Sequence, residues 1–270
     1  MTWTTHRRAF LAASAAVTLA PGTVRVAQAE PEGEDAIARL YRSAMVIDGN
    51  LVGPFDDAAP LDRATADQVL GSGLTAFKMT IGGSVGEFDA VNSDIAAFDK
   101  AIALSPDVYM KIRTADDLLA AKRARRVGVI YSFEDAGMLN GTPANIDHFS
   151  ALGVRVMQLS YNTVSPFASG VMAPQPSAGL TALGHEAVAR MNACGVTLDL
   201  SHADERSSLE AVAASTRPAA ITHAGCHSAY AHPRNKSDAV LRAVADSGGV
   251  VGLYGLSYIS AGPEQQSLDD

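Results

Sequence analysis

Cysteine is nearly absent: there are two in 270 residues, too few for a disulfide framework and too few to hold a structural zinc by themselves. Basic clusters are equally scarce. Apart from the stretch Lys122 to Arg126, no concentration of Lys and Arg occurs, and the net charge is −8, which excludes an ordinary nucleic-acid-binding surface. No Gly-x-Gly-x-x-Gly follows an apolar run, so a dinucleotide-binding open sheet has no support. What the chain has is apolar side chain. Hydrophobic residues make up 47% and charged residues 19%, enough to bury a large core and to exclude disorder, collagen and coiled coil.

The first residues read as a leader. Arg7-Arg8-Ala9-Phe10-Leu11 precedes a small-residue apolar run to Ala20, and Ala27-Gln28-Ala29 offers a cleavage site. The apolar run is shorter than the roughly 20 residues that span a bilayer. Paired arginines before Phe-Leu resemble the twin-arginine export signal of bacteria. Residues 1–29 are therefore expected to be a signal peptide and 30–270 the mature domain, periplasmic or secreted. Cleavage removes Arg7, Arg8 and Arg25 and no acid, deepening the charge from −8 to −11.

Beyond the leader, short apolar or β-branched runs alternate with helical patterns. Strands are expected at Ala44–Gly49, Leu74–Ile81, Gly128–Asp135, Val154–Tyr161, Val196–His202, Ala219–His223 and Val250–Leu256. Helices are expected at Ala36–Ser43, Phe88–Leu104, Ala115–Arg126, Leu183–Cys194, Glu205–Ala214 and Asp238–Ala245. Thr114 and Ser237 precede acids in a first turn, as N-caps do, and Asp204 and Glu205 also suit a helix start. Strands buried on both faces and spaced by helices form parallel sheets. The fold class is α/β, and the repeat points to a (β/α)8 TIM-like barrel. Seven strands leave the count one short. The expectation is therefore a barrel domain lacking its last strand–helix portion, marginally stable and inactive by itself.

In such a barrel the chemistry sits at the C-terminal ends of the strands. The polar residues there are Asp48 and Asn50, Glu134 and Asp135, Tyr161 and Asn162, then His202 and His223. Either histidine alone is as well explained by hydrogen-bonded core filling. Two at equivalent positions, with Glu134 on a third strand, make a three-ligand set with an open position, which suits catalytic zinc. His227 and His232 lie in a loop, as spare ligands or as solvated histidines. Cys194 precedes the fifth expected strand and Cys226 follows the sixth. Opposite barrel faces are a strand length apart, so no disulfide is expected between them.

Gly179-Leu180-Thr181, Leu198-Asp199-Leu200-Ser201-His202 and His232-Pro233-Arg234-Asn235 resemble the membrane (renal) dipeptidases, peptidase family M19. Ser132-Phe133-Glu134 and Leu152-Gly153-Val154-Arg155 fit the same pattern. The resemblance implies a barrel of the metallo-dependent hydrolase type that cleaves dipeptides with zinc. It implies Glu134 as a carboxylate bridging two ions, His202 and His223 as ligands of the second, and Arg234 as the binder of a substrate carboxylate, a task that suits a planar guanidinium.

Three departures qualify that picture. The family's first strand runs into Asp-Gly-His-x-Asp, where this chain has Asp48-Gly49-Asn50-Leu51-Val52, so Asn50 and Val52 are degenerate first-metal positions. One zinc ion is therefore expected rather than two. Tyr161 stands for a family histidine at the substrate and keeps one hydrogen-bond donor. The family's catalytic aspartate falls beyond Asp270, so no catalytic acid–base residue is assigned. The expected partner is a small peptide-like substrate, with a homodimer as the assembly considered. A second reading is a catalytically impaired barrel homologue that binds a small ligand.

Overall fold

The computed structural model describes residues 34–83 and 86–255; the expected signal peptide lies outside the described residues. The chain divides into two units, residues 1–40 and 41–270. Of the first, the structure describes the start of the helix α1, Glu34–Ser43. The second carries all of the described strands and seven further α-helices.

Along the second unit the order is β1 (Ile47–Asp48), α2 (Arg63–Gly71), β2 (Ala76–Thr80), α3 (Phe88–Leu104), β3 (Tyr109–Lys111), α4 (Ala115–Ala124) and β4 (Val127–Phe133). It continues with α5 (Asn145–Ala151), β5 (Val154–Met157), α6 (Ala182–Cys194), β6 (Thr197–Leu198), α7 (Glu205–Ala214), β7 (Ala220–Ala224), α8 (Asp238–Asp246) and β8 (Val250–Leu253). The helix starts follow local side-chain chemistry. Thr114 and Asp117 close a reciprocal capping box on α4. Asp204 accepts from Ser207 N at the head of α7, and Ser237 accepts from Val240 N at the head of α8.

All eight strands pair in parallel. One ladder runs β1-β2-β4-β5-β6, a second joins β7 to β8, and the parallel bridge Asp199–Ala220 connects them. The path curls back on itself. At Gly49, just after β1, an added Cβ would lie 2.5 Å from the carbonyl oxygen of Thr222 in β7. Only glycine permits that approach, which brings the first strand's end against β7, the last strand but one of the path. The result is a curled parallel sheet of the TIM-barrel type.

Among the described residues there are eight strands rather than the seven expected, but the additional one stands off the path. β3 pairs only with the first half of β4, through Tyr109–Val127 to Lys111–Val129. Three residues are too few for alternation to show in a sequence. Two short helices, α2 and α5, were likewise not expected. Among the described residues no ladder joins β8 to β1, and Val250 and Leu253 on β8 are 69% and 80% exposed.

The alternation of β2 and β4 sorts core from site. Phe77, Met79, Tyr131 and Phe133 are buried in the hydrophobic core cluster, with Ile95, Ile102 and Phe149 from the helices. Each such side chain contributes about 1.5–3 kcal/mol when fully buried. The alternate set, Lys78, Thr80 and Ser132, occupies the opposite face in register, Thr80 across from Ser132, and Glu134 continues that parity. Cys194 and Cys226 are both free.

Candidate metal centre

Glu134, His202 and His223 come together at the C-terminal ends of β4, β6 and β7. One ligand atom from each lies within 4.8 Å of the others. Glu134 follows directly on β4, where the parity of Ser132 turns it inward. Its Oε1 accepts from Thr80 Oγ1 at 2.8 Å and from Lys78 Nζ at 3.3 Å. His202 and His223 are 4% and 7% exposed, and their surroundings decide which nitrogen each presents.

Asp199 is the organising group behind the histidines. Buried to 1% exposure, it accepts from Ser201 N and Oγ, Thr222 N and Oγ1, and Gln158 Nε2. These donors and the neighbouring cations matter to its charge. Burial pushes the carboxyl up, but the charge of Lys78, the His223 imidazole and the hydroxyls of Ser201 and Thr222 outweigh it, and its pKa lies below the ordinary carboxylate value. Because Thr222 gives its proton to Asp199 at 2.7 Å, its oxygen accepts from His223 Nδ1–H at 2.9 Å. His202 is set in the same way from another side: Nδ1–H donates to Asn162 Oδ1 at 2.8 Å. Both outer nitrogens therefore carry the protons, as metal-ligating imidazoles do.

The inner nitrogens are then two lone pairs facing each other, with Nε2 to Nε2 at 3.0 Å. Glu134 Oε2 lies 3.8 Å from His202 Nε2, and Oε1 lies 4.0 Å from His223 Nε2. A tetrahedral ion about 2.0–2.1 Å from each donor spaces them roughly 3.4 Å apart, and the three separations bracket that value. The donor set fits a divalent ion.

A proton is a poor substitute for that ion. Burial, then the charge of Arg234, lowers the His202 pKa to about 2. Burial lowers that of His223 to about 4, against the opposing pull of Asp199 and Glu134. Imidazoles in the unfolded chain titrate near about 6.5. Below that pH the unfolded state takes up protons that the folded state refuses, so stability is lost as pH falls. The urea midpoint of metal-free protein should stay level above about pH 7 and decline between about 6.5 and 4. A midpoint that rises on acidification across that window contradicts this account of the pair.

The remaining expected residues divide. Asn50, Tyr161, Asn162, Met172, His232 and Arg234 line the same cavity of about 370 Å³ with the three ligands. Tyr161 stacks on the His202 ring, with centroids 4.0 Å apart and planes at 22°. Arg234 is 7% exposed. Its guanidinium donates to Ser201 O and, through Nη2, to His202 Nε2 at 3.2 Å. Among the described residues no carboxylate forms an ion pair with it. Val52 is 83% exposed and outside the cavity, while His227 lines a separate groove with Asp204 and Glu205. Lys78, Thr80 and Asp199 were not singled out in the sequence. A lysine inside the apolar run Ala76-Phe77-Lys78-Met79 was the available signal, since a charge buried on both faces needs a partner.

Comparison with known proteins gives this geometry a context. Residues 57–270 match the model for membrane dipeptidase, peptidase family M19. An uncharacterized protein of Klebsiella pneumoniae from the pqqA 5′ region is 30% identical over 185 residues, 66% of this chain and 68% of its own. An uncharacterized dipeptidase of Schizosaccharomyces pombe is 30% identical over 162 residues, 58% of this chain and 39% of its own. A solved amidohydrolase from Pseudomonas aeruginosa superposes with a TM-score of 0.72 and 32% identity, covering 80% of this chain and 64% of that one. A metallo peptidase from Rhodobacter sphaeroides, liganded with a phosphinate mimic of the dipeptide L-Ala-D-Ala, shares the fold. Its TM-score is 0.65 and its identity 20%, over 80% of this chain and 75% of that one. The chain thus spans less than two thirds of both the yeast dipeptidase and the Pseudomonas amidohydrolase.

Proposed function

The chain belongs to the membrane dipeptidase family, peptidase family M19, and from that premise we propose that it is a metal-dependent hydrolase of dipeptides or related short amides. One observation carries the reading. Two buried imidazoles commit their outer nitrogens to Asn162 and Thr222, and their inner nitrogens converge beside Glu134. Two nitrogens and a carboxylate suit zinc, the ion we assign. Such an ion supplies Lewis acidity for a scissile carbonyl and makes water nucleophilic near neutral pH.

The chain's own residues bind and orient. Arg234 offers a planar fork to a substrate's C-terminal carboxylate from a position anchored on Ser201 O. The Tyr161 phenol lines the cavity and has a proton to donate to a carbonyl oxygen. Asn162 holds His202, and Asp199 through Thr222 holds His223, so neither ligand turns when substrate enters. A cavity of about 370 Å³ sits at the small end of ligand sites, in keeping with a dipeptide-sized substrate. Export through the twin-arginine route belongs to the proposal. It rests on Arg7-Arg8, Phe10-Leu11 and Ala27-Gln28-Ala29, outside the described residues. No helix among the described residues is long and apolar enough to cross a membrane.

A small-ligand-binding role is the second reading, favoured by Asn50 and Val52 at positions where a metal ligand would be needed. Elemental analysis of protein purified at neutral pH separates the two, together with amino-acid release from a dipeptide panel. About one zinc per chain is expected, and any hydrolysis that the chain shows should be lost on chelation and restored by Zn²⁺. Absence of bound metal overturns the hydrolase reading. Metal-loaded protein that binds dipeptides without cleaving them leaves the ligand-binding reading in its place.

A further inference from the structure

Lys78 is 2% exposed, a full charge inside a barrel, and the pocket lining does not include it. Its ammonium meets Thr80 Oγ1 at 3.2 Å and Glu134 Oε1 at 3.3 Å. Thr80 adds its own hydroxyl proton to the same Oε1 at 2.8 Å. The two oxygens of Glu134 are thus unequal: Oε1, 4.0 Å from His223 Nε2, already carries two donors, while Oε2 lies closer to the imidazoles, 3.8 Å from His202 Nε2. Strand parity enforces this, because Lys78 and Thr80 share the inner face of β2 opposite Ile130 and Ser132 of β4.

We propose that Lys78 is a resident cation of the metal centre, acting through Glu134 as a positioning residue. Its ammonium holds Oε1, confines the carboxylate to donating Oε2, and limits the site to one divalent ion. Ammonium and ion share one negative charge in a dry interior, where such interactions are strong. Two consequences follow for the metal-free and metal-bound states. Without the ion, Lys78 is the charge that keeps Glu134 from being buried and unpaired. With the ion, Lys78 opposes it, so the site holds its metal less tightly than the same three ligands would without the lysine. The inference rests on the metal reading above.

The test is Co²⁺ binding at fixed pH, followed by calorimetry and by the visible absorption of bound Co²⁺, with Tm measured in metal-free and metal-saturated protein. Wild type is expected to take up one equivalent. Lys78→Met, of similar volume and without the charge, should lower the Co²⁺ Kd about tenfold or more. Its metal-free Tm should fall, and metal should raise the Tm by more than it does in wild type. Lys78→Arg keeps the charge and should behave as wild type. If Lys78→Met does not fold, Lys78→Gln removes the charge while keeping a donor on Oε1 and is read the same way. A neutral variant that binds Co²⁺ no more tightly than wild type, or that gains no extra stabilisation from it, overturns the role of Lys78. Wild-type protein that takes up no Co²⁺ overturns the metal reading itself.

Discussion

Replacing His202 or His223 with alanine should strip the chain of its metal while leaving it folded. Either change removes one of three donors, and the surviving imidazole and Glu134 cannot hold an ion against water and buffer. Zinc content should fall from about one equivalent to under about a tenth. Zinc affinity should fall more than about a hundredfold, and any hydrolysis with it, exceeding the 10- to 100-fold that loss of an outer partner of a metal-ligating histidine costs. Asn162→Ala supplies that comparison. It leaves all three donors and removes only the acceptor that fixes the His202 ring at 2.8 Å, so weaker binding rather than absence is expected. The order is what the ligand assignment requires. Zinc content unchanged in either histidine variant, or Asn162→Ala more damaging than both, would show that the ion is held elsewhere.

Both histidines and Glu134 were legible because each is polar at the end of an otherwise apolar strand, a place where a core residue should be hydrophobic. The helix caps at Thr114, Asp204 and Ser237 were legible for a different reason: capping is settled within four residues, and so within reach of sequence reading. Arg234 and Tyr161 were found through a motif and a likeness, and the structure lines the cavity with both. The loss of a ligand at Val52 was read from its type; its 83% exposure adds that this residue is turned to solvent and not to the cavity.

What stayed hidden depends on partners distant in sequence. Lys78 finds Glu134 across 56 residues, His202 finds Asn162 across 40, and Asp199 finds Thr222 across 23. None of these pairings has a local signature. Asp199 stood inside a quoted motif, yet in a strand it reads as one more alternating polar residue. β3 was missed because three residues carry no period, and because its place beside half of β4 is set by tertiary packing.

Asp199 is therefore where the largest stability effect is expected. Asp199→Ala leaves four donors without their acceptor, Ser201 N, the two hydroxyls and the Gln158 amide, while Thr222 N keeps Ser201 Oγ at 2.9 Å. Each unmet buried donor costs about 1–3 kcal/mol before relaxation. Water and side-chain turning recover part of that, so a net loss of about 3–5 kcal/mol is expected, against a total of about 5–15 for a domain. Asp199→Asn separates charge from shape. Its amide nitrogen is best placed at the Oδ2 position, since the Oδ1 position faces Ser201 N and Thr222 N at 3.0 and 3.1 Å. There it opposes Gln158 Nε2 and donates to Thr222 Oγ1, so the hydroxyl must turn its own proton toward His223 Nδ1. His223 then carries its proton on Nε2, the nitrogen that faces His202. Asp199→Asn should consequently lose metal affinity by a larger factor than its urea midpoint suggests. Thr222→Val, which removes the relay hydroxyl and keeps the shape, should share the affinity defect with a smaller loss of stability. If Asp199→Asn binds zinc as wild type does while unfolding at lower urea, Asp199 is a structural anchor alone, and the tautomer of His223 is set by something other than Thr222.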